Sequence, residues 1–234
     1  MAILDFCRNR EENNRLIQTF DTGISNVFIR KISPDELGNM IPEPALSEIL
    51  ADLKAQMRET ATKGAQISFR MASNIINIRI AEDGTEEIST LSLKHGSSIF
   101  DFDFKDESDG TRRIFDLMDM LITKRDDIVY VADELERSLH PKLTEHFLQL
   151  FMEAHKGQRV QLIFTTHADT IMDQELFRRD EIWFVERGAD NASTIYSLDR
   201  FKERYDKKLS KAYLEGRYGA IPVFRKFPFQ KEDA

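Results

Sequence analysis

Apolar residues recur along this chain with two different rhythms, and the change falls near residue 98. From Glu11 to Asp35 polar residues give way to the apolar string Ile24, Val27, Phe28 and Ile32, which predicts a short helix followed by a strand. Ile41-Pro42-Glu43-Pro44 breaks the pattern. Beyond it Leu46, Ile49, Leu50, Leu53 and Met57 fall at steps of three and four, predicting an amphipathic helix over 44–62 that ends near Gly64. Ile67/Phe69/Met71 and Ile76/Ile78/Ile80 alternate as strands do, and Asp83-Gly84 marks a turn before a third strand ending near Leu93. A small antiparallel sheet follows from this, within an α+β region over 1–98.

From residue 99 onward the apolar runs are longer. Ile114, Leu117, Met118 and Leu121 have helical spacing and lead into the unbroken run Ile128-Val129-Tyr130-Val131-Ala132, as in a strand buried on both faces of a parallel sheet. A helix with Leu143, Phe147, Leu150, Phe151 and Ala154 on one side comes next, then a second buried strand, Gln161 to Thr165. This repetition predicts an α/β layered sheet with crossover helices. Ile182-Trp183-Phe184-Val185 and Thr194-Ile195-Tyr196 read as further strands, and a charged helix is expected from about Leu198 to Glu215.

Charge narrows the choice of partner. Acidic residues outnumber basic ones by 41 to 33, a formal charge of −8, which disfavours a chain-wide grip on nucleic acid or an anionic membrane. The single cysteine, Cys7, has no intrachain partner for a disulfide, and Met1-Ala2-Ile3-Leu4-Asp5-Phe6 is too short and too soon charged for a signal peptide. No apolar run approaches the roughly 20 residues that span a bilayer. A cytoplasmic setting with no membrane contact is expected.

The chemistry gathers at strand ends. The run 128–132 stops at Asp133-Glu134, where a carboxylate can meet a hydrated magnesium ion and a second can orient or deprotonate an attacking water. Such a pair, taken alone, is also what a solvated strand end looks like. Some 33 residues after Glu134 the next strand ends in Thr165-Thr166-His167, so two neighbouring parallel strands would bring His167 to the same sheet edge as the acids. Ser138-Leu139-His140-Pro141 reads as a turn ahead of a helix. Upstream, Glu107-Ser108-Asp109-Gly110-Thr111 precedes a helix; hydroxyls at Ser108 and Thr111 and the open backbone at Gly110 suit an anion, although the same residues serve as an ordinary cap. His95, His146 and His155 read as surface or packing residues. Arg112, Arg113, Arg178 and Arg179 read mainly as solvated or salt-bridged.

Taken in order, these segments resemble the ABC-type ATPases: a signature-like Glu107–Thr111, a Walker B strand with Asp133-Glu134, a D-loop-like Ser138-Leu139-His140-Pro141 and a switch strand ending in His167. The chain looks most like bacterial ATP-binding proteins of the AAA-15 and AAA-21 groups, related to overcoming-lysogenization-defect and chromosome-maintenance ATPases. Arg178–Phe184 and Tyr213-Leu214-Glu215-Gly216-Arg217-Tyr218-Gly219-Ala220-Ile221-Pro222 resemble that group's C-terminal segments, and residues before about 100 resemble, less distinctly, its insertion between nucleotide-binding lobes. The resemblance implies a P-loop NTPase-like fold over 99–234, with ATP and Mg2+ as ligands. It gives Asp133 to the metal, Glu134 to the water and His167 to the γ-phosphate. It also implies a head-to-head assembly in which Ser108, Gly110 and Thr111 of one subunit meet the nucleotide of the other. Roles in phage defence or DNA maintenance, with an effector protein or nucleic acid as partner, are implied in the same way.

One motif of that family is missing from these residues. GxxxxGK[ST] wraps the phosphates with glycine backbone and neutralises them with lysine, and this chain has no Gly-Lys dipeptide. The resemblance therefore predicts a first lobe upstream of Met1, a partner supplying it in trans within a homodimer or hetero-oligomer, or a remnant that binds no nucleotide. Two other readings stand beside an ATPase half. One is a regulatory or docking subunit that uses the signature face and helix 44–62. The other is a metal-dependent nuclease built on Asp133, Glu134 and His167, which the consecutive placement of the acids on one strand disfavours.

Overall fold

Alternating aliphatics in the first third of the chain form a sheet, and a helix covers it. The computed structural model describes residues 10–60, 64–71, 74–123, 126–202 and 208–222. They fall into two compact units, residues 1–132 with 137–163, and residues 133–136 with 164–234. The expectations for Cys7, for the start of the chain and for residues 203–207 of the last helix concern positions outside the described residues.

In the first unit, helix α1 (Arg10–Gln18) is followed by strand β1 (Ile24–Lys31), helix α2 (Pro34–Met40) and helix α3 (Glu43–Thr60). Strands β2 (Ala65–Met71), β3 (Asn74–Ile80) and β4 (Glu86–His95) then form an antiparallel sheet in the order β1-β4-β3-β2, with the short β5 (Phe102–Asp103) added to β4. Ile78 lies opposite both Ile67 and Ile88. Ile76, Ile78 and Ile80 share one face by the two-residue period of a strand, and they are buried with Ile41 and with Leu46 and Leu53 of α3. Burying each such side chain contributes roughly 1.5–3 kcal/mol. The sequence predicts this sheet and α3 but not α2, a seven-residue helix that Ser33 caps by accepting the Glu36 amide. Nor does it predict that β1 joins β4, a pairing of Val27 with Leu93 and Ile29 with Leu91 across more than sixty positions.

Helix α4 (Asp109–Ile122) follows a 3-10 turn at Phe104–Asp106 and buries Ile114, Phe115, Leu117 and Met118. Phe104 and Phe115 meet edge to face with their centroids 5.2 Å apart. Strand β6 (Ile128–Ala132), helix α5 (Pro141–Ala154) and strand β7 (Val160–Phe164) come next, and β6 pairs with β7. The Ile128 amide bonds to the Arg159 carbonyl at 3.3 Å, and farther along the Leu135 amide bonds to Thr165 at 3.0 Å. Both chains thus advance together, as in a parallel pair joined by a crossover helix.

The expectation of strands buried on both faces is corrected here. Val129, Val131 and Ile163 are 56%, 76% and 50% exposed, while the ring of Tyr130 on the opposite face of β6 meets Phe151 of α5 edge to face. A helix covers one face only, so burial alternates along both strands. Among the described residues β6–β7 and β8–β9 are separate two-stranded sheets.

In the second unit β8 (Trp183–Arg187) and β9 (Ser193–Ser197) form an antiparallel hairpin, with Val185 opposite Ile195. Phe184, Leu198, Leu209, Ala212 and Tyr218 make its core. Phe184 stacks with Tyr213 at 5.5 Å and with Tyr218 at 5.7 Å. In place of a continuous charged helix there is a 3-10 turn at Leu198–Arg200 and helix α6 (Leu209–Leu214). Gly219 has φ +72° and a Cβ there would lie 2.6 Å from the Tyr196 hydroxyl oxygen, so this turn requires glycine. Among the described residues no helix is long and apolar enough to cross a membrane.

Candidate functional site

The segments that leave β6 and β7 are laced together, and the acid pair and His167 sit on the lacing. Thr165 supplies the first knot. Its hydroxyl donates to Asp133 Oδ1 at 2.5 Å and accepts the Glu134 amide at 2.9 Å. The buried Leu135 gives its amide to the Thr165 carbonyl at 3.0 Å. One residue on, Glu136 Oε1 accepts the His167 amide at 2.7 Å, and the Thr166 hydroxyl accepts the Ala168 amide at 3.0 Å to turn the chain. Asp133, Glu134 and His167 are exposed.

Glu134 has φ +46°, a left-handed conformation that disfavours a residue with a Cβ. Burial presses the Glu136 carboxyl upward, but the His167 amide and the Thr166 hydroxyl together outweigh it and hold this group below the usual carboxylate range.

Ser108, Gly110 and Thr111 come together with Ser138 in the first unit. Ser108 is the N-cap of α4, accepting the Thr111 amide at 3.1 Å, and its hydroxyl lies 2.9 Å from that of Thr111. A Cβ on Gly110 would lie 2.7 Å from the Ser138 carbonyl oxygen, so glycine lets the start of α4 rest on the turn before α5. Ser138 has φ +61°. Leu139 is half-buried, and His140 caps α5 by accepting the Lys142 amide at its Nδ1, 3.2 Å away. Thus Asp133, Glu134 and His167 form one group, and Ser108, Gly110, Thr111 and Ser138 form another.

Three histidines have partners that the sequence reading did not name. His95 Nε2 lies 2.7 Å from Oε1 of Glu107, whose side chain is buried directly before Ser108. His146 lies 3.2 Å from the Thr19 hydroxyl, and His155 Nε2 lies 2.7 Å from the Met120 carbonyl. The arginines read as salt-bridged do pair: Arg112 with Asp109, and Arg178 with Asp180 and Glu181. Arg179 instead donates to the carbonyls of Leu198 and Phe201. Thr165 and Glu136 are the site residues that sequence reasoning missed. The signal that points to Thr165 is a hydroxyl at the end of the second strand; nothing periodic singles out Glu136.

Residues 4–173 match the family AAA_21, described as "AAA domain, putative AbiEii toxin, Type IV TA system". The chain belongs to that family. The AAA_21 match takes in both groups of site residues, and it reaches much farther towards the N-terminus than the segments from which the resemblance was read. The mixed α/β fold is therefore of the P-loop NTPase-like, AAA-domain kind, in a superfamily of ATP-binding proteins. No curated protein and no solved structure gives a match.

Among the described residues no group of three or more His, Cys, Asp or Glu side chains is gathered as a metal cage. Magnesium at a phosphate site takes one or two carboxylates and completes its shell with water and phosphate oxygens. An exposed aspartate oriented by Thr165 fits such a donor set.

Proposed function

We propose that this AAA_21 member is the catalytic half of an ABC-type ATP hydrolase, in which ATP drives a switch. The observation that carries the reading is the lacing at Thr165, which orients Asp133 and the Glu134 backbone on a strand end next to the segment bearing His167. Asp133 would hold magnesium through water, and the ion would neutralise charge on the phosphate oxygens. Glu134 would take a proton from water as its oxygen bonds to the γ-phosphorus; the bond to the β-phosphate bridging oxygen breaks, and ADP leaves with inorganic phosphate. His167 would donate a hydrogen bond to the γ-phosphoryl oxygens.

In this reading Asp133-Glu134 is the Walker B end, Ser138-Leu139-His140 the D-loop, and Ser108, Gly110 and Thr111 the signature that meets a nucleotide held by a second subunit. Residues 1–98 act as the arm between lobes and 99–234 as the catalytic lobe. In this reading a partner that carries a phosphate loop completes the nucleotide site. The toxin–antitoxin wording of the family description supports a defence role, with DNA maintenance, an effector protein and nucleic acid as further possibilities of the same reading.

ATP-dependent assembly tests it. A base-free site binds ATP without cleaving it, so Glu134→Gln mixed with the protein encoded immediately upstream should sediment as a larger species with ATP and Mg2+ than with ADP. Identical sedimentation in ATP, ADP and no nucleotide would contradict the switch.

The second reading is a docking subunit without catalysis, and the open apolar face of Val129, Val131 and Ile163 favours it. It predicts nucleotide-independent association with the same partner.

A further inference from the structure

Asp133 and Glu134 stand on one loop and His167 on another, and separate loops drift apart unless something ties them. We propose that Glu136 is a positioning residue, whose carboxylate fastens the His167 loop to the loop of the acid pair so that the three groups move as one piece. Four hydrogen bonds join the loops in step: Thr165 to Asp133, Glu134 to Thr165, Leu135 to Thr165, and His167 to Glu136. The last is the only one of these four that reaches the histidine, and it does so at its own amide, 2.7 Å from Glu136 Oε1.

A charged acceptor makes this rung stronger than a neutral one, roughly twice as strong. Its surroundings fit the task. Glu136 is half-buried while its neighbours Glu134 and Arg137 are exposed, and Leu135 beside it is fully packed. Burial pushes its carboxyl upward, and the His167 amide with the Thr166 hydroxyl holds it below the usual carboxylate range. Glu136 itself needs no contact with substrate; it acts through the backbone of His167. The catalytic part of this role rests on the ATPase reading above, whereas the fastening does not.

Amide exchange in the full chain separates the two. In Glu136→Ala the His167 amide should exchange at least about tenfold faster and shift in its 1H–15N spectrum, with the Ile76 to Ile78 amides of the sheet unchanged. Glu136→Gln keeps a carbonyl acceptor and should restore most of the protection. Should the alanine variant fail to fold, Glu136→Asp, which is too short to reach, carries the same prediction. With the upstream-encoded protein present, kcat for ATP should fall about tenfold or more in Glu136→Ala at unchanged KM, and partly recover in Glu136→Gln. Unchanged His167 exchange in a folded Glu136→Ala protein overturns the proposal. So does an unchanged kcat in that variant when Glu134→Gln abolishes turnover. If the wild-type protein hydrolyses no ATP, the ATPase reading fails on its own, and the exchange comparison still decides the fastening.

Discussion

Glu134 leaves β6 in a left-handed conformation, φ +46°, that costs a residue with a side chain on the order of 1–2 kcal/mol. The strain persists because Thr165 binds the Glu134 amide and the Asp133 carboxylate at once. Thr165→Val keeps the shape and removes both bonds. It should lower stability by about 1–3 kcal/mol in a thermal or urea melt, and Thr165→Ser should recover most of that loss. pH acts on the neighbouring rung. The Glu136 carboxyl lies below its ordinary value of 4.5 in the folded chain, so its contribution is fully present above about 4.5 and is lost as the pH falls through the lowered value. Protection of the His167 amide, corrected for intrinsic exchange, should hold from neutral pH to about 5 and then decline in acid. Glu136→Gln should flatten that decline. None of this was legible in the sequence beyond the acids and the histidine themselves. The rungs join residues 30 to 32 positions apart, and a hydrogen bond between two loops leaves no periodic trace.

Whole elements were easier to read where one face is buried locally. Ile76, Ile78 and Ile80 announce a strand because every second residue packs on α3, and α4 shows its buried stripe at helical spacing. The run 128–132 misled for a physical reason. Valine and isoleucine suit a strand whichever way they point, so an unbroken run predicts two covered faces even where the chain covers one. α2 is too short to establish a period, and β1 with β4 is a long-range pairing. Gly110 is an element-scale constraint in the same sense. A Cβ there would lie 2.7 Å from the Ser138 carbonyl oxygen, so any other residue at the start of α4 forces a shift. Gly110→Ala should therefore destabilise the protein by about 1–3 kcal/mol, read from its melting midpoint, and Ser138 should show the largest amide shift outside α4. A midpoint equal to wild type would mean that α4 and the turn give way freely.

At the scale of the molecule, residues 133–136 belong with the second unit although the chain on either side of them belongs with the first. Chain order alone places the boundary at the change of rhythm near 98 and does not reveal this interleaving, which depends on contacts with residues beyond 163. The open face of β6–β7 gives a further prediction for the isolated chain. Val131 is 76% exposed, so Val131→Thr should change its stability by no more than about 0.5 kcal/mol, where a buried position would lose several times that. A large loss in the purified chain would show that another copy already covers this face. Magnesium-dependent release of phosphate from ATP by this chain with the protein encoded immediately upstream, wild type against Glu134→Gln, decides whether the acid pair is catalytic. Turnover is expected in the mixture, with a loss of about 10²-fold or more in the variant. Turnover that survives Glu134→Gln unchanged, or no turnover from any mixture, would contradict a catalytic role for the Asp133-Glu134 pair.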